Sequence, residues 1–116
     1  MSQIQLEEFD NYHIMQLKGN FSGGDEENDM LRATFKKIAK PEKNKLLIDL
    51  GEVNYLASAT LGALLSGNSI FKKVDGKIVL YNAIDYVENI FNITKLTITI
   101  PYFKTLEEAL VEINSE

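Results

Sequence analysis

Two short segments open the chain, residues 4–9 and 12–17. Ile4 and Leu6, then Tyr12, Ile14 and Gln16, give them partial period-two alternation. Asp10-Asn11 between them is turn chemistry, so the pair predicts a β-hairpin. Residues 19–24 read as a loop, with Phe21 as its buried anchor. The pattern then changes period. Leu31, Phe35 and Ile38 fall at i, i+4 and i+7, with Met30 and Thr34 broadening the stripe, and predict a helix over 25–39. Asp25, Glu26, Glu27 and Asp29 meet the positive end of its dipole. Lys36, Lys37 and Lys40 lie at its negative end, and Pro41 stops it.

Leu46-Leu47-Ile48, followed by Asp49-Leu50, is a nearly continuous apolar run. Such a run suits a strand over 45–50 covered on both faces, as in a parallel sheet. Residues 51–56 read as its connection to a helix over 58–73, with Leu61, Leu64, Leu65 and Phe71 on one stripe. Asp75-Gly76 turns into a strand over 77–81, which completes a βαβ unit with parallel strands. A short helix over 85–91 follows, with Val87, Ile90 and Phe91 inward. Alternation with Thr97 and Thr99 predicts a strand over 96–100, ended by Pro101. Thr105 and Glu108 form a capping box for a last helix that buries Leu106, Ala109, Leu110 and Ile113. The order ββαβαβαβα predicts one α/β domain over residues 1–116 with a mixed sheet.

Composition narrows the function classes. The 116 residues include no cysteine, which excludes disulfides, thiolate metal sites and cysteine nucleophiles. His13 is the only histidine, and no carboxylates show metal-ligand spacing, so no metal site or cofactor is expected. No nucleophile–base pair and no phosphate-binding glycine motif is visible, so the chain is not read as an enzyme. The first four letters of the diguanylate cyclase signature loop do occur, as Gly23-Gly24-Asp25-Glu26. Glu27 replaces the aromatic that should follow, and the match is read as chance. A net charge of −5 argues against nucleic acid and anionic membranes as partners. No signal peptide and no bilayer-length apolar run is seen, which predicts a cytoplasmic location without membrane insertion.

One stretch carries candidate chemistry. Small residues cluster at Ala57-Ser58-Ala59-Thr60 and Gly62, where a buried strand hands over to a helix. Ser58 reads as the N-cap. Gly62 costs about 1 kcal/mol against alanine unless a close approach requires it. Helix starts at open strand ends are where ligands and phosphates bind in α/β sheets.

Leu47-Ile48-Asp49-Leu50, Val53-Asn54-Tyr55-Leu56, Ser58 and Leu61-Gly62-Ala63-Leu64-Leu65 together resemble the STAS domain. Leu17 to Phe21, the turn at Asp75-Gly76, and Pro101 to Leu110 extend the resemblance over nearly the whole chain. The family includes bacterial anti-sigma-factor antagonists, stressosome subunits and cytoplasmic domains of sulfate transporters. The resemblance implies a role in signal transduction and transcription regulation through protein–protein interaction. Antagonists of this family bind an anti-sigma-factor serine kinase when unphosphorylated and release it once a serine at this helix start is phosphorylated. The family pattern there is Asp-Ser-Ser-Gly-Leu-Gly, with the second serine as acceptor. Here Ala57 replaces the aspartate, Ser58 matches the first serine, Ala59 replaces the acceptor and Thr60 replaces the glycine. Phosphorylation at the usual position is therefore impossible. Either Ser58 or Thr60 has taken over, or the switch is lost, or the chain is a structural subunit of a stressosome-like or transporter-associated complex. The resemblance implies a partner surface formed by Phe21, Ser22, Ala57, Ser58, Ala59 and Thr60.

Overall fold

The computed structural model describes residues 2–115. Its elements run β1 (Ser2–Glu8), β2 (His13–Phe21), α1 (Asp25–Ile38), β3 (Lys45–Leu56), α2 (Ser58–Lys72), β4 (Lys77–Tyr81), α3 (Asp85–Thr94), a 3₁₀ turn (Leu96–Ile98), β5 (Tyr102–Phe103) and α4 (Leu106–Asn114). The strands form one sheet in the order β1-β2-β3-β4-β5. Among the described strands only the β1–β2 pair is antiparallel. The expected pairing of the Leu46 and Ile78 strands as parallel neighbours is present, with Leu46 opposite Ile78 and Ile48 opposite Leu80.

Both faces of the central strands are covered, as the apolar run at Leu46 predicted. Met15, Leu17, Leu46, Ile48 and Leu80 pack with Leu31, Phe35, Leu64, Phe71, Val87 and Phe91 from α1, α2 and α3. Leu47, Val79 and Tyr81 turn the other way and pack with Ala109 and Ile113 of α4. Met30 and Leu65 fall outside the stripes expected of them and are exposed, as is Leu106 in α4. Thr105 does cap α4, accepting the Glu108 N–H at 3.2 Å, while the Glu108 carboxylate accepts from the Thr105 hydroxyl.

Three expectations are corrected. Residues 19–21 are the end of β2, and residues 51–56 are not a connection but the second half of β3. Beyond Asp49, β3 loses β4 and continues against β2 alone, to Phe21 opposite Leu56. Gly51 lies just past the point where the two strands part. A Cβ there would collide with the Asn82 side-chain amide, which donates to the Asp49 carboxylate at 3.2 Å. The expected strand over 96–100 is instead the 3₁₀ turn, entered through Lys95 in the left-handed region at φ 59°. The edge strand forms after Pro101, whose carbonyl accepts the Leu80 N–H. Tyr102 then fixes α3: its hydroxyl accepts the Ala83 N–H at 3.0 Å and donates to the Glu88 carboxylate. That bond, reinforced by Lys104, holds the Glu88 carboxyl below its ordinary range.

Candidate functional site

Parallel β2, β3 and β4 end on the same side of the sheet, so the starts of α1, α2 and α3 gather there. This is the side on which open α/β sheets place their sites. The three starts differ in character. Asp25, Glu26 and Glu27 make the first turn of α1 acidic, whereas α2 has no charge in its first turn. At α3, Ile84 and Tyr86 are exposed, and Tyr86 stacks on the exposed Tyr55 of β3 with ring centroids 6.4 Å apart.

The middle start is built around one carbonyl. Phe21, at the end of β2, accepts from the Ala57 N–H at 2.9 Å and from the Thr60 hydroxyl at 3.3 Å. Thr60 is completely buried, and so is the Phe21 ring. Both therefore pin β2 to α2 from inside the fold. Ser58 and Ala59 face outward, and Ser22 is exposed beside the Phe21 turn. Of the expected surface, the structure exposes Ser22, Ser58 and Ala59, half-exposes Ala57, and withdraws the side chains of Phe21 and Thr60.

Ser58 is not the N-cap. That position is Ala57, in extended conformation, and no side chain caps the helix. The helix begins one residue earlier than a serine cap would require, so Ser58 enters the first helical turn. Ala57→Asp should supply the missing acceptor and raise stability by about 0.5–2 kcal/mol, while Ser58→Ala should change it little. Denaturant midpoints of the two variants check this assignment.

Sequence reasoning did not find the residues that shape the floor of this turn. Gly23, at φ 86°, lies so close to α2 that a Cβ on it would sit 3.0 Å from the Ala57 Cβ and 3.1 Å from the Ala59 Cβ. The Gly23 N–H donates to the Glu27 carboxylate at 2.9 Å, closing the loop over the start of α1. Asn28, buried in α1, donates its side-chain amide to the Ala59 carbonyl at 3.3 Å. The Gly-Gly doublet before an acidic helix start was the available signal. Gly62 behaves oppositely, since nothing lies within 4 Å of its would-be Cβ. Packing does not require this glycine, and Gly62→Ala should stabilise the protein by about 1 kcal/mol, measured by chemical denaturation.

His13 is buried at the far end of β2 from this turn. Burial, and then the neighbouring Lys43 charge, keep its pKa below the ordinary value, so it stays neutral at pH 7. Among the described residues no helix is long and apolar enough to cross a membrane.

The fold is shared with several solved structures. An anti-sigma factor antagonist from Mycobacterium paratuberculosis superposes with a TM-score of 0.83 at 20% identity, over 99% of this chain and 96% of that one. A Bacillus cell-fate determinant, solved in its phosphorylated form, gives 0.71 at 18% identity, over 97% of this chain and 100% of that one. A murine solute carrier 26 family anion transporter gives 0.74 at 16% identity, covering 95% of this chain but 19% of the transporter. No curated protein matches the chain. The family model of the STAS domain matches residues 3–109, and the chain belongs to that family.

Proposed function

We propose that the chain is a single-domain, cytoplasmic, anti-sigma-factor-antagonist-like regulator, not itself an enzyme, that acts by binding an anti-sigma-factor serine kinase. The contact surface is the start of α2 with its two flanks. One observation carries this reading: a neutral, uncapped helix start exposes Ser58 and Ala59 between an acidic turn and a pair of exposed tyrosines. Such a surface offers free backbone N–H groups, apolar contact and a charged rim to a protein partner. Gly62, kept without a packing need, leaves the next turn of the helix bare as well.

A second reading is favoured by Ala59 itself. A chain without a hydroxyl at the acceptor position suits a structural STAS subunit, in a stressosome-like or transporter-associated complex, that binds without being switched. Affinity capture from the native cell, with partners identified by mass spectrometry, separates the two. A serine kinase or its phosphatase supports the first, and other STAS subunits or a permease support the second. With the kinase in hand, Ser58→Asp should retain the fold and weaken binding at least about tenfold, because it brings charge into a neutral contact. Unchanged affinity of Ser58→Asp would remove the start of α2 from the interface.

A further inference from the structure

The two edges of the sheet are unequal. β5 closes one side with two residues and is followed by Lys104. β1 closes the other with seven, in unbroken register with β2 from Ser2 to Glu8. No described strand pairs with its outer side. Natural edge strands are usually protected by lysine, proline, a bulge or shortness. The sequence Ser-Gln-Ile-Gln-Leu-Glu-Glu has none of these, and its only charges, Glu7 and Glu8, sit together at one end.

The direction of each backbone group in β1 follows from the hairpin. The Phe9 N–H donates to the Tyr12 carbonyl, so Glu8 opposite His13 is a non-hydrogen-bonded pair, and the two kinds of pair alternate from there. Gln3, Gln5 and Glu7 therefore bond to β2, while Ser2, Ile4, Leu6 and Glu8 aim their N–H and C=O groups outward. Ile4 packs partly on the core, and Leu6 is 39% exposed. Beside Ile4 lies a groove of about 550 Å³, lined also by Phe21, by the acidic start of α1 and by Met30, itself 63% exposed.

We propose that β1 pairs antiparallel with β1 of a second copy about a two-fold axis at Gln5, joining two five-stranded sheets into one. In this register Ser2 faces Glu8 of the second copy, Gln3 faces Glu7, Ile4 faces Leu6 and Gln5 faces Gln5. Every outward-aimed backbone group then meets another, and no glutamate opposes a glutamate. Leu6 of the second copy stands beside Ile4, at the mouth of the groove. A slip of one residue sets outward groups against groups already bonded to β2, and two-folds at Ile4 or Leu6 leave strand ends unpaired. Each copy carries a charge of −5, so added salt tightens the pair by screening their repulsion.

Sedimentation equilibrium over a loading series into the millimolar range, at low and high salt, tests this pairing. The mass should climb from the 13.1 kDa of one chain toward twice that value, and more readily in high salt. Gln5 is exposed, so Gln5→Lys and Gln5→Glu should keep the fold, checked by circular dichroism. Each should weaken association about fivefold by setting like charges together on the axis. Mixing the two variants should restore association, because lysine then faces glutamate. Amide exchange at Ile4 and Leu6 should slow with concentration while that at Gln5 does not. A single-chain mass throughout, or a dimer indifferent to both Gln5 variants, overturns the proposal.

Discussion

Replacing Phe35 by alanine should lower stability by about 3–5 kcal/mol, and Gly67→Ala should lower it by about 1–3 kcal/mol, through the same contact. Phe35 of α1 is completely buried, and its ring lies over Gly67 of α2. A Cβ at Gly67 would stand 2.6 Å from two ring carbons. The ring is completely buried in the main core cluster, so it cannot withdraw without displacing core neighbours. The helix-propensity gain of about 1 kcal/mol from glycine to alanine is therefore outweighed. Gly62, five residues earlier on the same helix, is the internal control, because alanine there gains propensity and meets nothing. The two substitutions should have opposite signs. The double variant Phe35→Ala with Gly67→Ala should cost less than the sum of the single effects, because removing the ring removes the clash. A stabilising Gly67→Ala would show that the two helices do not need this close approach.

The helices were readable because their signals are local. Charge order along α1, the apolar stripe at Leu31, Phe35 and Ile38, and Thr105 before α4 each act within a few residues. The central strand was readable because Leu46-Leu47-Ile48 has no polar face. The second half of β3 was not, since Gly51 looks like a break until β2 is known to run on to Phe21. Strand pairing at that distance is absent from local pattern. The same reason hid the fate of Thr60. A hydroxyl at a helix start reads as surface, yet this one is buried because a carbonyl 39 residues earlier in the chain accepts its proton. The place of the candidate site was legible from the run of small residues at 57–62, but the division between its exposed and buried members was not. Ala57 at the cap breaks a local rule without a visible structural gain, which is the kind of conflict expected where function sets the residue.

The remaining prediction turns on the buried and exposed hydroxyls at that helix start. With an anti-sigma-factor serine kinase and ATP, the wild-type protein should take up little phosphate, whereas Ala59→Ser should be labelled toward one phosphate per chain. Under the proposed reading Ala59 holds the acceptor position, and it is exposed in the first turn of α2. A serine keeps the Ala59 Cβ, for which the absence of a side chain at Gly23 already leaves room, so the loop need not move. Its phosphate would meet the unpaired N–H groups and positive dipole of an uncapped helix start, which favour added negative charge. Thr60 cannot replace it, because its hydroxyl is buried and bonded to the Phe21 carbonyl. Ser58 is the alternative acceptor, and peptide mapping of the labelled protein distinguishes it from residue 59. Stoichiometric labelling of wild type at Ser58 would mean that the acceptor has moved by one residue rather than vanished. An unlabelled Ala59→Ser variant that still binds the kinase would favour the structural-subunit reading. In that case the surface would retain the partner contact but lack the geometry that presents a hydroxyl to the enzyme.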